Sequence, residues 1–297
     1  MRLKSASSVR RPFDALFQLC LIAALCLALA GCGLNATRKN SVYAFGQAAS
    51  TLGSAVSREL PAMRENVIEM KKLRLAIENR KIPNLKTRAA YEKKINIDSG
   101  LDPENISRHI GAMNLLTSYG NFLSAFARDA ADEELRKNIH SLNEIKGLGR
   151  VAHAGGKLFI DWKKKKTIQK IVPMVSPLIQ RLCDELEKNF DINRPGMALN
   201  VDIVQDRLYS EALDGLKRDS QTAADRLIQV RGFVMAGDSK KRLEQVSRKI
   251  LDAAAALRKA DREMVEMATG KKVSLDDIRF FADQTRDMVS ALRAFGK

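Results

Sequence analysis

The sequence contains few of the residue types from which catalytic and metal sites are usually built. It has four cysteines and three histidines in 297 residues. The histidines, His109, His140 and His153, do not share a helical turn, and neither HExxH nor CxxC occurs, so no metal site is predicted. GLGRVA, residues 147–152, matches a GxGxxA dinucleotide pattern, but no strand is predicted before it. We therefore predict a protein that is not an enzyme and has no cofactor.

Proline, aromatic residues and strand-like alternation are also scarce. There are seven prolines, and aromatic residues make up 5% of the chain. Ala, Leu, Lys, Arg and Glu are abundant, which favours helices, and apolar residues recur with a helical period almost throughout. The sequence therefore predicts an all-α fold, an elongated antiparallel bundle of long helices with a coiled-coil-like hairpin at the C-terminus.

The C-terminal hairpin has the clearest pattern. Over residues 239–268, apolar residues step alternately by three and four positions, as in a coiled-coil seam: Leu243, Val246, Ile250, Ala253, Leu257, Ala260, Met264 and Met267. Gly270 is placed to end this helix. Ser274, with Asp277 three residues later, predicts a capping box for the next helix, whose seam covers 278–295.

The other helices are predicted with interruptions, over residues 41–81, 102–142, 167–190 and 200–236. Pro61 should interrupt the first helix. Pro173 and Pro177 should bend or restart the third, with Ser176 as a candidate cap. Gly237 should begin the turn that ends the fourth. That fourth helix would carry one continuous apolar seam, which includes Leu208, Leu227, Val230 and Val234.

One uncharged segment, His109–Ala127, has two interpretations. It has 19 residues with no formal charge unless His109 is protonated, so it could insert into a bilayer as helices of pore-forming proteins do. Its polar residues favour a helix packed at the centre of the bundle instead: Asn114, Thr117, Ser118, Asn121 and Ser124. Gly111, Gly120 and the small residues of 46–55 would permit close helix contact.

Acidic residues are fewer than basic ones, which indicates anionic partners. The chain has 51 Lys and Arg against 35 Asp and Glu, a net charge of +16. Trp162 stands beside Lys163, Lys164, Lys165 and Lys166, a composition typical of contact with a membrane surface or another anion. The alternative is a solvated charged face beside one packed aromatic side chain. No nucleic-acid motif occurs.

The N-terminus lacks the length of apolar sequence that a membrane-spanning helix requires. Ala15–Ala30 has 16 residues, of which only Gln18 is clearly polar, whereas about 20 are needed to cross a bilayer. A short apolar run behind basic residues, ending in small residues, is typical of a secretory signal peptide. A short membrane anchor is the alternative. Export makes nucleic acid an unexpected partner.

The last residues of that region resemble the lipobox of bacterial lipoproteins: Leu29-Ala30-Gly31-Cys32. The resemblance implies cleavage between Gly31 and Cys32, with diacylglycerol on the Cys32 sulfur and, in many bacteria, an acyl chain on its amino group. Gly33 in place of aspartate resembles the pattern that is sent to the outer membrane. Loss of residues 1–31 leaves a charge of +13 and Cys183 as the one remaining free thiol. We expect Cys183 to be buried; a catalytic or intermolecular role is the alternative.

The sequence thus predicts three parts: a removed signal peptide at 1–31, a lipidated tether at 32–40, and one helical domain at 41–297. The predicted function is that of a non-catalytic scaffold or interaction module on the periplasmic face of the outer membrane. Its predicted partners are membrane lipid, through Cys32, and an envelope protein or peptidoglycan. A membrane-active bundle similar to helical pore-forming proteins is the alternative. The sequence does not specify an oligomeric state.

Overall fold

The computed structural model describes residues 36–78, 96–98, 101–130, 132–143, 164–218 and 221–294. Within these ranges every regular element is an α-helix, which confirms the predicted all-α class. The helices are α1 (Ala36–Ile77), α2 (Pro103–Ala127), α3 (Asp132–Asn143), α4 (Lys164–Phe190), α5 (Met197–Leu216), α6 (Ala223–Ala268) and α7 (Asp276–Ala294). α1 begins at Ala36 rather than Ser41, so it includes part of the segment 32–40 for which the sequence predicts a tether.

Two long antiparallel helices run the length of the bundle. α1 has 42 residues and α6 has 46, so they are about 63 and 69 Å long at 1.5 Å per residue. Glu59 of α1 accepts hydrogen bonds from Arg242 of α6, and Asn66 donates to Ser239 over 3.0 Å. α2, α4 and α7 pack along one half of this pair, and α5 packs along the other half. The predicted elongated bundle is thereby confirmed.

α1 and α2 approach so closely that their contact depends on residues without a side chain. A Cβ added at Gly46 would lie 2.5 Å from Ser124 Oγ and 2.6 Å from the Gly120 carbonyl oxygen. A Cβ at Gly53 would lie equally close to α2, 2.6 Å from a backbone carbonyl oxygen. Close contact is therefore confirmed for the small residues of α1 and for Gly120. It is wrong for Gly111, where an added Cβ meets nothing within 4 Å.

The uncharged segment 109–127 contributes to the core of the bundle. Its C-terminal half is buried apart from Asn121. Tyr119 packs edge-to-face on Phe45 of α1 at a centroid distance of 6.2 Å, and Phe45 also contacts Phe281 of α7 at 5.6 Å. This packing agrees with the interpretation of a central bundle helix. Among the described residues, no helix combines the length and the apolar character needed to cross a membrane.

The hairpin of α6 and α7 forms as predicted. All eight seam residues of α6 are buried, and so are Ile278, Phe281 and Met288 of α7. Gly270 ends α6 with a left-handed φ of 93°. Its N–H donates to the Met267 carbonyl over 3.2 Å, and the next N–H donates to the Glu266 carbonyl over 3.0 Å, which is a Schellman motif.

The cap of α7 differs from the prediction because it comes from the neighbouring helix. The Glu263 carboxylate accepts the backbone N–H of Leu275 at 2.6 Å and that of Ile278 at 3.1 Å. Ser274, predicted to form a capping box with Asp277, donates its hydroxyl to Glu263 at 3.1 Å. α7 begins at Asp276, after Leu275, whose φ of 67° turns the chain.

The predicted interruption at Pro61 and the predicted restart at Pro173 and Pro177 are wrong. α1 continues through Pro61, and α4 continues through Pro173 and Pro177. Proline within a helix costs about 3 kcal/mol because a hydrogen bond is lost and the ring clashes with the preceding turn. Burial of the flanking residues offsets that cost, since Leu60, Val172, Val175 and Ile179 are at most 1% exposed. Ser176, predicted as a cap, instead donates its hydroxyl to Asp261 of α6 at 2.6 Å.

A break that lacks a glycine or proline signal divides the predicted helix 102–142 into α2 and α3. Asp129 has a φ of 56°, and its N–H donates to the Phe126 carbonyl. The N–H of Ala130 donates to the Ala125 carbonyl over 3.0 Å, which completes a Schellman motif. Aspartate tolerates this left-handed conformation better than most residues do.

The predicted helix 200–236 also divides, and its predicted turn is displaced. α5 ends at Leu216, α6 begins at Ala223, and α6 then continues through Gly237. The start of α6 is a capping box in which Thr222 Oγ1 accepts the Asp225 N–H and the Asp225 carboxylate accepts the Thr222 N–H.

Candidate functional site

The structure describes only part of the predicted lipidation, cleavage and membrane-contact residues. Gly31, Cys32, Trp162 and Lys163 lie outside the described residues, as do residues 147–152. The backbone of the other three predicted contact residues forms the first turn of α4: Lys164, Lys165 and Lys166. We call residues 164–166 the lysine turn; it is the N-terminal end of α4.

The lysine turn lies beside the hairpin of α6 and α7. Gln180 of α4 donates its side-chain amide to Asp261 at 2.7 Å, and Arg258 donates to Asp184 at 2.8 Å. Because higher numbers on α4 pair with lower numbers on α6, the two helices are antiparallel. The first turn of α4 therefore lies level with the turn after α6, which contains Lys271 and Lys272.

The beginning of α1 lies at the same end of the bundle. Lys39 forms an ion pair of 2.8 Å with Asp129, in the turn that follows α2. Phe45 contacts Phe281, which lies near the start of α7. We call this end the basal end and define it by residues 36–39, 128–130, 164–167 and 270–275. The opposite end, which holds the beginning of α6, is the distal end.

The distal end exposes apolar side chains that the sequence predicts to be buried in a seam. Leu227 is 70% exposed, Val234 is 52% exposed and Val230 is 44% exposed. The prediction is wrong because the break between α5 and α6 turns this part of α6 back along α5. α6 contacts α5 there through the Phe233 ring, whose centroid lies 4.7 Å from that of Tyr209.

A cleft of about 330 Å³ separates α2 from α4 in the middle of the molecule. Its floor is apolar and comes from four helices: Val56 and Leu60 of α1, Met113 of α2, Leu182, Leu186 and Phe190 of α4, and Met197 of α5. Polar side chains of α2 and α4 form its walls: Arg108, His109, Glu185, Lys188 and Asn189. Its volume falls within the range of ligand sites in proteins.

The walls of the cleft carry more positive than negative charge. Arg108 and Lys188 are cationic and Glu185 is anionic. Burial lowers the pKa of His109 from its ordinary value of 6.5, and the positive charges of Arg108 and Lys188 also lower it, whereas Glu185 raises it. His109 is therefore predominantly neutral at pH 7. Asn189 donates its side-chain amide to the Glu185 carbonyl at 2.8 Å, which leaves the amide oxygen of Asn189 as an acceptor.

A buried carboxylate lies between α4 and α6. Asp261 is fully buried, and one of its oxygens accepts from Ser176 and Gln180 at 2.6 and 2.7 Å. Its other oxygen has no hydrogen-bond partner among the described residues, and neither has the buried hydroxyl of Tyr119. Burial raises the pKa of Asp261, and the Ser176 and Gln180 hydrogen bonds lower it. Asp261 directly follows the seam residue Ala260 but is not itself a seam position, so sequence reasoning missed its burial.

Cys183 is a buried free thiol, as expected. It is fully buried on α4 and forms no disulfide. Burial raises its pKa to about 12, and only the thiolate is nucleophilic. Among the described residues, no group of three or more His, Cys, Asp or Glu side chains is arranged to hold a metal ion.

Comparison with known proteins adds no assignment. No protein-family model, no curated protein and no solved structure matches the chain. The cleft and the basal end are therefore interpreted from their own residues. Sequence reasoning missed the cleft because its walls are two helices about 75 residues apart in the chain, with no shared motif.

Proposed function

We propose that this protein is a bacterial cell-envelope lipoprotein that acts as a non-catalytic helical scaffold. Residues 1–31 would be removed as a signal peptide, and Cys32 would carry diacylglycerol and an N-acyl chain. The domain would stand on the periplasmic face of the outer membrane, with its basal end toward the lipid. The observation that carries the proposal is that α1 begins at Ala36, four residues after Cys32, at the end of the bundle that also holds the lysine turn of α4.

The short connection supports contact between the basal end and the membrane. Four residues reach at most about 14 Å when fully extended. Two or three acyl chains form a lasting anchor, because each buried CH₂ contributes about 0.8 kcal/mol. An anchored Cys32 would therefore hold the start of α1 near the headgroups. Lysines near an anionic membrane surface contribute about 1 kcal/mol each, so Lys164–Lys166 would favour an orientation with this end on the lipid.

The length of the bundle supports a scaffold role. α6 is about 69 Å long by helix rise, and it reaches from the basal turn to the exposed Leu227, Val230 and Val234. A rigid rod anchored at one end would present its distal end far from the membrane, where an envelope protein or peptidoglycan could be contacted. Pull-down with insoluble peptidoglycan at low and high salt tests peptidoglycan as the partner. Absence of binding at both salt concentrations would exclude it.

The anchor is tested by substituting the lipobox cysteine. Cys32→Ala should leave the precursor uncleaved between residues 31 and 32 and should abolish incorporation of labelled acyl chains. Cys26→Ala is a matched control, because it removes a thiol from the same segment without altering the lipobox, and it should be processed normally. If Cys32→Ala is processed, labelled and localised like the unchanged protein, the lipoprotein assignment is wrong.

The orientation is tested by chemical labelling of lysines. The lipidated mature protein would be reconstituted in nanodiscs of neutral or anionic lipid and treated with an amine-reactive reagent, and the labelled lysines would be mapped by peptide mass spectrometry. Labelling of Lys164–Lys166 should fall severalfold on anionic lipid, whereas Lys241 in the middle of α6 should be labelled equally on both. Equal labelling of the lysine turn on both lipids would refute contact with anionic headgroups.

A further inference from the structure

We infer that the cleft between α2 and α4 is a binding site for a single-chain amphiphile with an anionic headgroup. The inference concerns a different part of the molecule from the proposed anchor and does not depend on it. The cleft lies about 30 Å from the beginning of α1, measured by the helix rise to Val56. A ligand bound here would therefore lie well above the membrane contact that is proposed for the basal end.

The floor of the cleft fits an aliphatic chain. Val56, Leu60, Met113 and Phe190 come from three different helices, and Met197 of α5 also lines the cleft. An apolar chain placed on this floor would remove its own surface from water, at about 25 cal/mol per Å² buried. Two of the lining residues are methionines, whose flexible side chains adapt to an apolar ligand. An inorganic anion would find no polar partner on this floor.

The rim of the cleft fits an anionic headgroup. Lys188 lines the cleft with an exposed side chain, and it makes no ion pair or hydrogen bond within the described part of the chain. Arg108 has only a distant contact, with Glu104 at 3.9 Å, and both of those side chains are largely exposed. The two cations stand on opposite walls, α4 and α2, so a carboxylate or phosphate between them would be contacted from both sides.

One residue on the rim opposes an anion. Glu185 lies on α4 beside the cleft, and its side-chain oxygen accepts from Asn189 at 3.3 Å. It offsets part of the field of Arg108 and Lys188. Removal of this single negative charge should therefore strengthen binding, whereas removal of either positive charge should weaken it. Opposite responses from residues on the same rim distinguish an anion site from a nonspecific apolar cleft.

The direct experiment is photolabelling of the full-length protein in nanodiscs of neutral lipid, with empty nanodiscs as the blank. The probe is a dodecanoic acid with a terminal diazirine, and labelled peptides are mapped by mass spectrometry. Label is expected in residues 56–60, 108–113 and 182–190. Laurate and dodecyl phosphate should compete with the probe, which tests carboxylate and phosphate headgroups separately. Dodecyltrimethylammonium and inorganic phosphate should not compete.

Variants test the two halves of the site. Lys188→Gln and Arg108→Gln should each weaken labelling by about tenfold, the order expected when a hydrogen bond to a charged group is lost. Glu185→Gln should strengthen it. Ala112→Leu adds a side chain to the cleft and should abolish labelling, while circular dichroism checks that the fold is kept. Lys241→Gln, a charge change away from the cleft, should have no effect.

Three results would overturn the inference. The first is label spread over the surface instead of concentrated in the cleft peptides. The second is equal competition by the cationic and anionic amphiphiles, because the rim charges would then play no part. The third is full competition by inorganic phosphate alone, because the apolar floor would then contribute nothing. Failure of the Cys32 experiment would leave all of these outcomes unchanged, so the two proposals can fail separately.

Discussion

Substitution of Gly120 by alanine tests whether close backbone contact holds α1 and α2 together. A Cβ at Gly120 would meet the Gly46 carbonyl oxygen and the Ser50 backbone nitrogen of α1, both closer than a real Cβ approaches any atom. Neither partner is a side chain that can rotate away. The two helices would therefore have to separate along the whole interface. That separation would loosen the contact of Phe45 with Tyr119 as well.

Two opposing contributions set the expected magnitude. Alanine is favoured over glycine within a helix by about 1 kcal/mol. Overpacking of a close interface costs about 1–3 kcal/mol, and more when only backbone can yield. Because the atoms that a Cβ at Gly120 would meet are all backbone atoms of α1, we expect the cost to exceed the gain and Gly120→Ala to lower the free energy of unfolding by about 2 kcal/mol. For a domain of this size that corresponds to a fall in Tm of about 4–8 °C.

Gly111 is the matched control, because it lies in the same helix and an added Cβ meets nothing within 4 Å. Gly111→Ala should therefore raise the free energy of unfolding by about 1 kcal/mol through helix propensity alone. Thermal and urea unfolding of both variants, followed by circular dichroism, measures the difference. If Gly120→Ala is as stable as Gly111→Ala, the close approach of α1 and α2 does not exist.

Three further predictions concern buried polar groups. Burial raises the pKa of Asp261 above 3.8, so ionisation of this carboxyl opposes folding. As the pH rises from about 3.8 through the folded pKa, the unchanged protein should therefore lose stability relative to Asp261→Asn. The loss should be about 1.4 kcal/mol per unit of difference between the folded and unfolded pKa. A constant difference across that pH range in urea titrations would contradict this. Glu263→Ala should cost about 2 kcal/mol, because two backbone N–H groups and a hydroxyl lose their acceptor; Glu266→Ala, at an exposed ion pair, should cost under about 1 kcal/mol. Cys183 should resist iodoacetamide in the folded protein and react once urea unfolds it, as measured on its tryptic peptide; rapid reaction when folded would show that the thiol is accessible.

The sequence predicts the hairpin of α6 and α7 well because its signals are local. Eight apolar residues alternate at steps of three and four, and one face of a helix follows directly from that spacing. Gly270 ends α6 because glycine adopts the left-handed conformation at little cost. The start of α7 is less predictable. Its cap is Glu263, a residue of the preceding helix, and no rule based on neighbouring positions identifies a cap that comes from another helix.

The breaks between helices are predicted poorly where packing outweighs local preference. Pro61, Pro173 and Pro177 lie inside helices because buried neighbours hold the chain in place. Conversely, Asp129 ends α2 without a glycine or proline. The missed break between α5 and α6 had the largest consequence. Because residues 200–236 were predicted as one helix, Leu227 was assigned to a buried seam, whereas 70% of its surface is exposed.

The sequence alone determined that the chain is helical and which faces of most helices are apolar, because both properties depend on residues within a few turns of one another. It also contains the motif at Leu29–Cys32 on which the proposed anchor depends. Tertiary structure decided the arrangement of distant residues. It brought the lysine turn of α4 level with the beginning of α1, and it opened the cleft between Arg108 and Lys188. Such placements follow from how long helices pack against each other, and no local pattern in the chain encodes them.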